Sequence, residues 1–98
     1  MSEIWKCEIT YGLIQLFIPI TGRGVLSVGQ DHKRDNCLWV EVDRSKASVP
    51  VTVAIIGTGH KMPDDDQLRF VGTIYDGPMR WHVFVKHKAL NSDGGDTP

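Results

Sequence analysis

The chain offers no window in which apolar residues recur at i, i+3, i+4 and i+7, and it offers many short runs that alternate with period two. That pattern rules out a helical bundle or a doubly wound fold and leaves strands as the building unit. Composition agrees. Val and Ile total 18 residues against 9 for Leu and Ala, and β-branched side chains pack well on a pleated sheet but lose rotamer freedom in helices. Nine Asp against 3 Glu suit turns better than helix interiors. The 10 Gly and 5 Pro fall mostly between the apolar runs, where breakers belong.

Seven strands are predicted from this punctuation: residues 4–11, 14–18, 24–29, 36–42, 51–57, 68–75 and 80–86. In the first, Trp5, Cys7, Ile9 and Tyr11 share one face. In the fourth, Leu38, Val40 and Val42 point inward and Trp39 outward. The fifth is apolar on both faces and is expected to be central and covered on each side. Asp76-Gly77-Pro78 reads as the turn between the last two strands. Pro63–Gln67 has the residues for at most one helical turn. The expected architecture is all-β, a small antiparallel β-sandwich or barrel. It forms a single domain over residues 1–88 with a disordered tail over 89–98, of which Asn91–Pro98 holds no apolar side chain to bury.

Charge and length narrow the function. Ninety-eight residues suffice for one core. Eleven Lys and Arg against 12 Asp and Glu give a net charge of −1, which removes the field that non-specific nucleic-acid binding requires. No apolar run approaches the ~18 residues of a membrane span, and the N-terminus lacks the pattern of a secretory signal, so a cytoplasmic location is expected. Cys7 and Cys37 and the four His show no zinc spacing. Asp64, Asp65 and Asp66 read as a solvated acidic turn rather than a hard-cation site. No metal, no cofactor and no catalytic constellation is expected. His82 next to a carboxylate is the one arrangement that leaves enzymatic chemistry open.

The most distinctive stretch is Ile55-Ile56-Gly57-Thr58-Gly59-His60, a buried strand running into a Gly-x-Gly turn. Such a turn presents backbone N–H groups to an anion, and His60 adds a donor. It also reads as a plain turn whose glycines serve geometry alone. If there is a ligand, its site comprises Gly57, Thr58, Gly59 and His60. A stacking ring comes from Trp39, Tyr75 or Trp81, and charge from Arg69 or Arg80. The segment Leu13–Ile18 is apolar on both faces, so Leu13, Gln15 and Phe17 are expected at a homo-oligomer interface, most simply a dimer.

Taken together, Ile4-Trp5-Lys6, Leu26-Ser27-Val28, Cys37-Leu38-Trp39-Val40, Ile56-Gly57-Thr58-Gly59-His60, Phe70-Val71-Gly72-Thr73 and Trp81-His82-Val83-Phe84 resemble a family of short, uncharacterised proteins of tailed bacteriophages. The match extends over roughly residues 3–85. The resemblance implies a phage accessory protein in the host cytoplasm and supplies no catalytic residues. Accessory proteins of that kind commonly counter host defence. Two modes follow: sequestering a small nucleotide signal, or inhibiting a host defence or regulatory protein by direct contact. A minor structural phage component is the third.

Overall fold

A computed structural model describes residues 1–87. They form seven strands: β1 (Glu3–Glu8), β2 (Gly12–Ile18), β3 (Ile20–Gln30), β4 (Asn36–Val42), β5 (Val49–Gly57), β6 (Arg69–Asp76) and β7 (Met79–His87). Every pairing is antiparallel, in a three-stranded sheet of order β1-β4-β3 and a four-stranded sheet of order β2-β5-β7-β6. The two sheets face each other as a sandwich, as the period-two pattern predicts.

Alternation explains which side chains meet. Val51, Val53 and Ile55 of β5 lie beside Leu16, Ile14 and Gly12 of β2 and beside His87, Val85 and Val83 of β7. Opposite them stand Leu38, Val40 and Val42 of β4, and these residues form one buried cluster with Ile9, Ile18, Ile20 and Ile74. Each such side chain contributes about 1.5–3 kcal/mol when fully buried. His87 is also buried on this face, 6 % exposed, and burial pushes its imidazolium below the ordinary histidine range.

Ile18, Pro19 and Ile20 are all buried where the chain passes from the four-stranded sheet into β3. At the far edge β6 comes close to β3, and a Cβ at Gly72 would stand only 2.6 Å from Cγ2 of Val28. The same glycine sits at a bulge between Phe70 and Gly72 in the β6–β7 ladder. Asp76 pairs with Met79, leaving Gly77 and Pro78 as a two-residue hairpin loop. Gly77 has φ +59°, and proline follows with its fixed negative φ, the pattern of a type II′ turn.

Four details differ from the sequence expectation. β1 ends at Glu8, not Tyr11: the Ile9 N–H still bonds Asn36 O at 2.9 Å, in register with the ladder, but β4 begins at Asn36 and offers no partner beyond it. β3 begins at Ile20, not Gly24; Gly22 and Gly24, at φ +55° and +73°, shape an irregularity inside the strand. Pro63–Gln67 forms no helical turn; instead Asp65 accepts from the Gln67 N–H at 3.0 Å and from Lys86 Nζ. β5 is central, but the second sheet covers one face only. On the other face Ala54 is enclosed by its strand neighbours Leu13 and Phe84, and Thr52 and Ile56 are half-buried. The predicted tail over 89–98 lies outside the described residues.

The polar loop between β3 and β4 is organised by Asp31. Its carboxylate accepts from Lys6 Nζ, the Lys33 N–H and the Asp35 N–H, each at 2.9 Å. The Lys6 contact foremost, then the backbone donors, hold this carboxyl far below the usual aspartate range. The neighbouring Cys37 is fully buried, with Sγ 3.4 Å from Asp35 O, and burial raises its thiol.

Two outcomes are expected. Gly72→Ala destabilises by about 1–3 kcal/mol through overpacking against Val28. Adding Val28→Ala to it recovers part of the loss, so the cycle read by urea unfolding is non-additive. Because Asp31 is depressed, its contribution is fully present above the ordinary aspartate value of 3.8 and fades as pH falls below it. Asp31→Asn therefore lowers Tm at neutral pH, and its deficit relative to the wild type shrinks below about pH 4.

Candidate functional site

β5 ends at Gly57, and the chain turns back through Thr58 and Gly59 to His60. The His60 N–H donates to Gly57 O at 3.0 Å, and Gly59, third of the four, has φ +90°. That is a type II turn, which demands glycine at its third position. The Thr58 N–H is also used, donating to Arg80 O at 3.3 Å. Two of the N–H groups expected to cradle an anion are therefore committed to the backbone. Gly59 is explained by turn geometry.

Gly57 has a different reason. A Cβ there would lie 3.0 Å from the Trp81 ring and 3.2 Å from the His60 ring. The missing side chain lets both rings settle over the strand end. Trp81 stands directly opposite Gly57 on β7, on the core face at the end of the sandwich. His60 meets it edge-on, with centroids 6.2 Å apart, and Tyr11 lies over it at 4.2 Å and 36°. Tyr11 is held there by its hydroxyl, which donates to Asp76 Oδ2 at 3.1 Å. The indole Nε1 of Trp81 is buried and has no hydrogen-bond partner. Leaving such a donor unmet costs about 1–3 kcal/mol.

The outer face of the same sheet carries a second polar group. His82 Nε2 lies 2.8 Å from Thr58 Oγ1, and Nδ1 lies 3.2 Å from Thr73 Oγ1. A neutral imidazole donates to one hydroxyl and accepts from the other. The spacing of Thr58 and His82 is that of a hydroxyl and its base, but the outer partner is a threonine. A hydroxyl orients the ring without supplying the negative charge that stabilises an imidazolium. Beside it the Arg80 guanidinium lies 4.5 Å over the Tyr75 ring, and Nη1 donates to Gly77 O and Met79 O at 3.0 and 3.1 Å.

The residues singled out in the sequence therefore divide. Gly57, Thr58, Gly59, His60 and Trp81 come together at one end of the sandwich. Tyr75 and Arg80 face each other on the outer side of the adjoining hairpin. Arg69 does not join them; it pairs with Val85 at the opposite end of β6, six positions from Tyr75 or ~20 Å along the strand. Trp39 is on the outer face of the other sheet, between Lys6 and Ser27. Leu13, Gln15 and Phe17 are exposed on the outer side of β2, with Leu13 at 62 % and Phe17 at 68 %. The structure adds Tyr11 and Asp76 to the site. Tyr11 read as the last residue of an alternating strand and Asp76 as a turn former, so neither announced a contact across 65 positions of chain. Among the described residues no three His, Cys, Asp or Glu side chains gather where they would hold a metal ion.

No curated protein and no solved structure matches this chain. A family model described as a domain of unknown function, DUF7352, matches residues 1–93, and the chain belongs to that family.

Proposed function

We propose that the chain is a phage accessory protein that binds and sequesters a small nucleotide without catalysis, and thereby blunts a host defence signal. One observation carries the binding reading: the buried Trp81 Nε1 with no partner, set in an aromatic cluster of Tyr11, Trp81 and His60. A nucleobase is a planar ring edged with hydrogen-bond acceptors. It replaces Tyr11 on the indole face, while an oxygen of the attached sugar or phosphate reaches the rim of the ring and accepts from the orphan N–H, which lies in the ring plane. Stacking of this kind contributes ~1–3 kcal/mol per base. His60 supplies a donor for phosphate. The defence context comes from the resemblance to phage proteins.

A specific observation favours a second reading, direct inhibition of a host protein. Leu13, Ala54, Phe84 and Phe70 occupy successive strands in one register, an apolar row across the outer face, with Phe70 59 % exposed. Rows of this kind mark contact surfaces.

Titration calorimetry against mono-, di- and cyclic nucleotides separates the two. Trp81→Phe keeps an aromatic ring but removes the N–H together with the five-membered half of the indole, so affinity is expected to fall about fivefold to tenfold, with a modest loss of Tm from the space left behind. His60→Ala is expected to weaken phosphate-bearing ligands more than the free nucleoside. Binding that is unchanged in a folded Trp81→Phe variant rejects this site. Absence of nucleotide binding, together with a host protein retained through Phe70, favours the inhibitor reading.

A further inference from the structure

β2 is the outermost strand of its sheet: β5 pairs with one edge, and among the described residues no strand pairs with the other. Proteins normally blunt such an edge with charge, proline or a bulge, because its N–H and C=O groups invite another strand. The other outer strands do so. β1 carries Glu3, Lys6 and Glu8, β3 is irregular around Arg23, and β6 is bulged at Gly72. β2 reads Gly-Leu-Ile-Gln-Leu-Phe-Ile, without charge or proline, and pairs with β5 through all seven positions without a shift.

We propose that a second copy of this chain closes the β2 edge, strand to strand and antiparallel, about a two-fold axis through Gln15. The sequence is self-complementary about that residue. With Gln15 facing its own copy, Leu13 lies opposite the second chain's Phe17 and Phe17 opposite its Leu13. On the core side Ile14 meets Leu16, and Gly12 meets Ile18. This register uses the whole strand, whereas a shift of two residues shortens the overlap and separates both Leu–Phe pairs. Directly opposed side chains in an antiparallel ladder approach to about 4.5–5.5 Å at Cβ, so the exposed Leu13 and Phe17 cover each other. The two Gln15 amides lie within reach to bond across the axis, each offering donor and acceptor. A two-fold contact is closed, which satisfies the edge without building a fibre. The pairing is independent of any ligand at Trp81.

Sedimentation equilibrium of the full chain at micromolar concentration is expected to give twice the 11.0 kDa protomer mass. Leu13→Lys alone, or Phe17→Glu alone, sets a charge against an apolar partner and raises the dissociation constant by about tenfold or more. The two together in one chain place opposite charges face to face at both ends of the strand and restore dimerisation. Both positions are exposed, and circular dichroism checks that the variants fold. As a readout independent of affinity, Gln15→Cys cross-links efficiently with a short bis-maleimide, over the background of Cys7 and Cys37, and Leu13→Cys does not. A wild type at the single-chain mass overturns the proposal. So does a double variant as dissociated as the single ones, or equal cross-linking at both positions. A monomer that instead takes up a host protein along β2 assigns the edge to that partner.

Discussion

Leu38, Val40 and Val42 from one sheet pack against Val51, Val53, Ile55, Val83 and Val85 from the other, and the remaining structure is arranged around that contact. A seven-strand domain of this size has few side chains to spare, so both inner faces are almost wholly aliphatic. Trp5 remains on the inner face, half-buried opposite Val40, and most other large rings are displaced to the ends and outside. Trp81 and Tyr11 cap one end, Trp39 lies on the back of the three-stranded sheet, and Phe17 and Phe70 lie on the back of the four-stranded one. The site is thus a by-product of core economy: the indole that does not fit among valines is pushed to where the sandwich opens.

The strand number and most strand positions were legible in the sequence because alternation and turn residues act locally. Leu38, Val40 and Val42 point inward and Trp39 outward, as their parity requires. Where glycine had two meanings, the reading failed. Gly22 and Gly24 look like strand breakers and instead bend a strand that continues on both sides of them. Beyond the β6–β7 hairpin that Asp76-Gly77-Pro78 announced, strand order was not legible, since no local rule states that β5 lies between β2 and β7. Without it, Trp39 could not be separated from Trp81, although the distance between Arg69 and Tyr75 followed from their places at the two ends of one strand.

The same limit explains the turn at Gly57–His60. Its motif suggested exposed backbone donors, yet a type II turn consumes the His60 N–H, and β7 consumes that of Thr58. Chemistry passes from the backbone to the side chains that the turn brings together. Gly57 matters for the ring it admits, and that role depends on a residue 24 positions later in the chain. The family assignment, DUF7352, provides a lineage and leaves the activity to the residues themselves.

The strand order also arranges assembly in time. Only β3–β4 and β6–β7 join strands that are neighbours in the chain; β1–β4, β2–β5 and β5–β7 close longer loops. Loop closure makes such non-local pairs slow, so the two local hairpins are expected to form first, with β5 docking next onto β7 and β2 pairing to β5 after it. Trp81 arrives on an early hairpin with its indole in water. It meets Gly57 when β5 docks, and Tyr11 when β1 and β2 are drawn in. Its N–H is therefore expected to lose hydration late in folding, and with Trp5 and Trp39 replaced by Phe its emission alone reports that step.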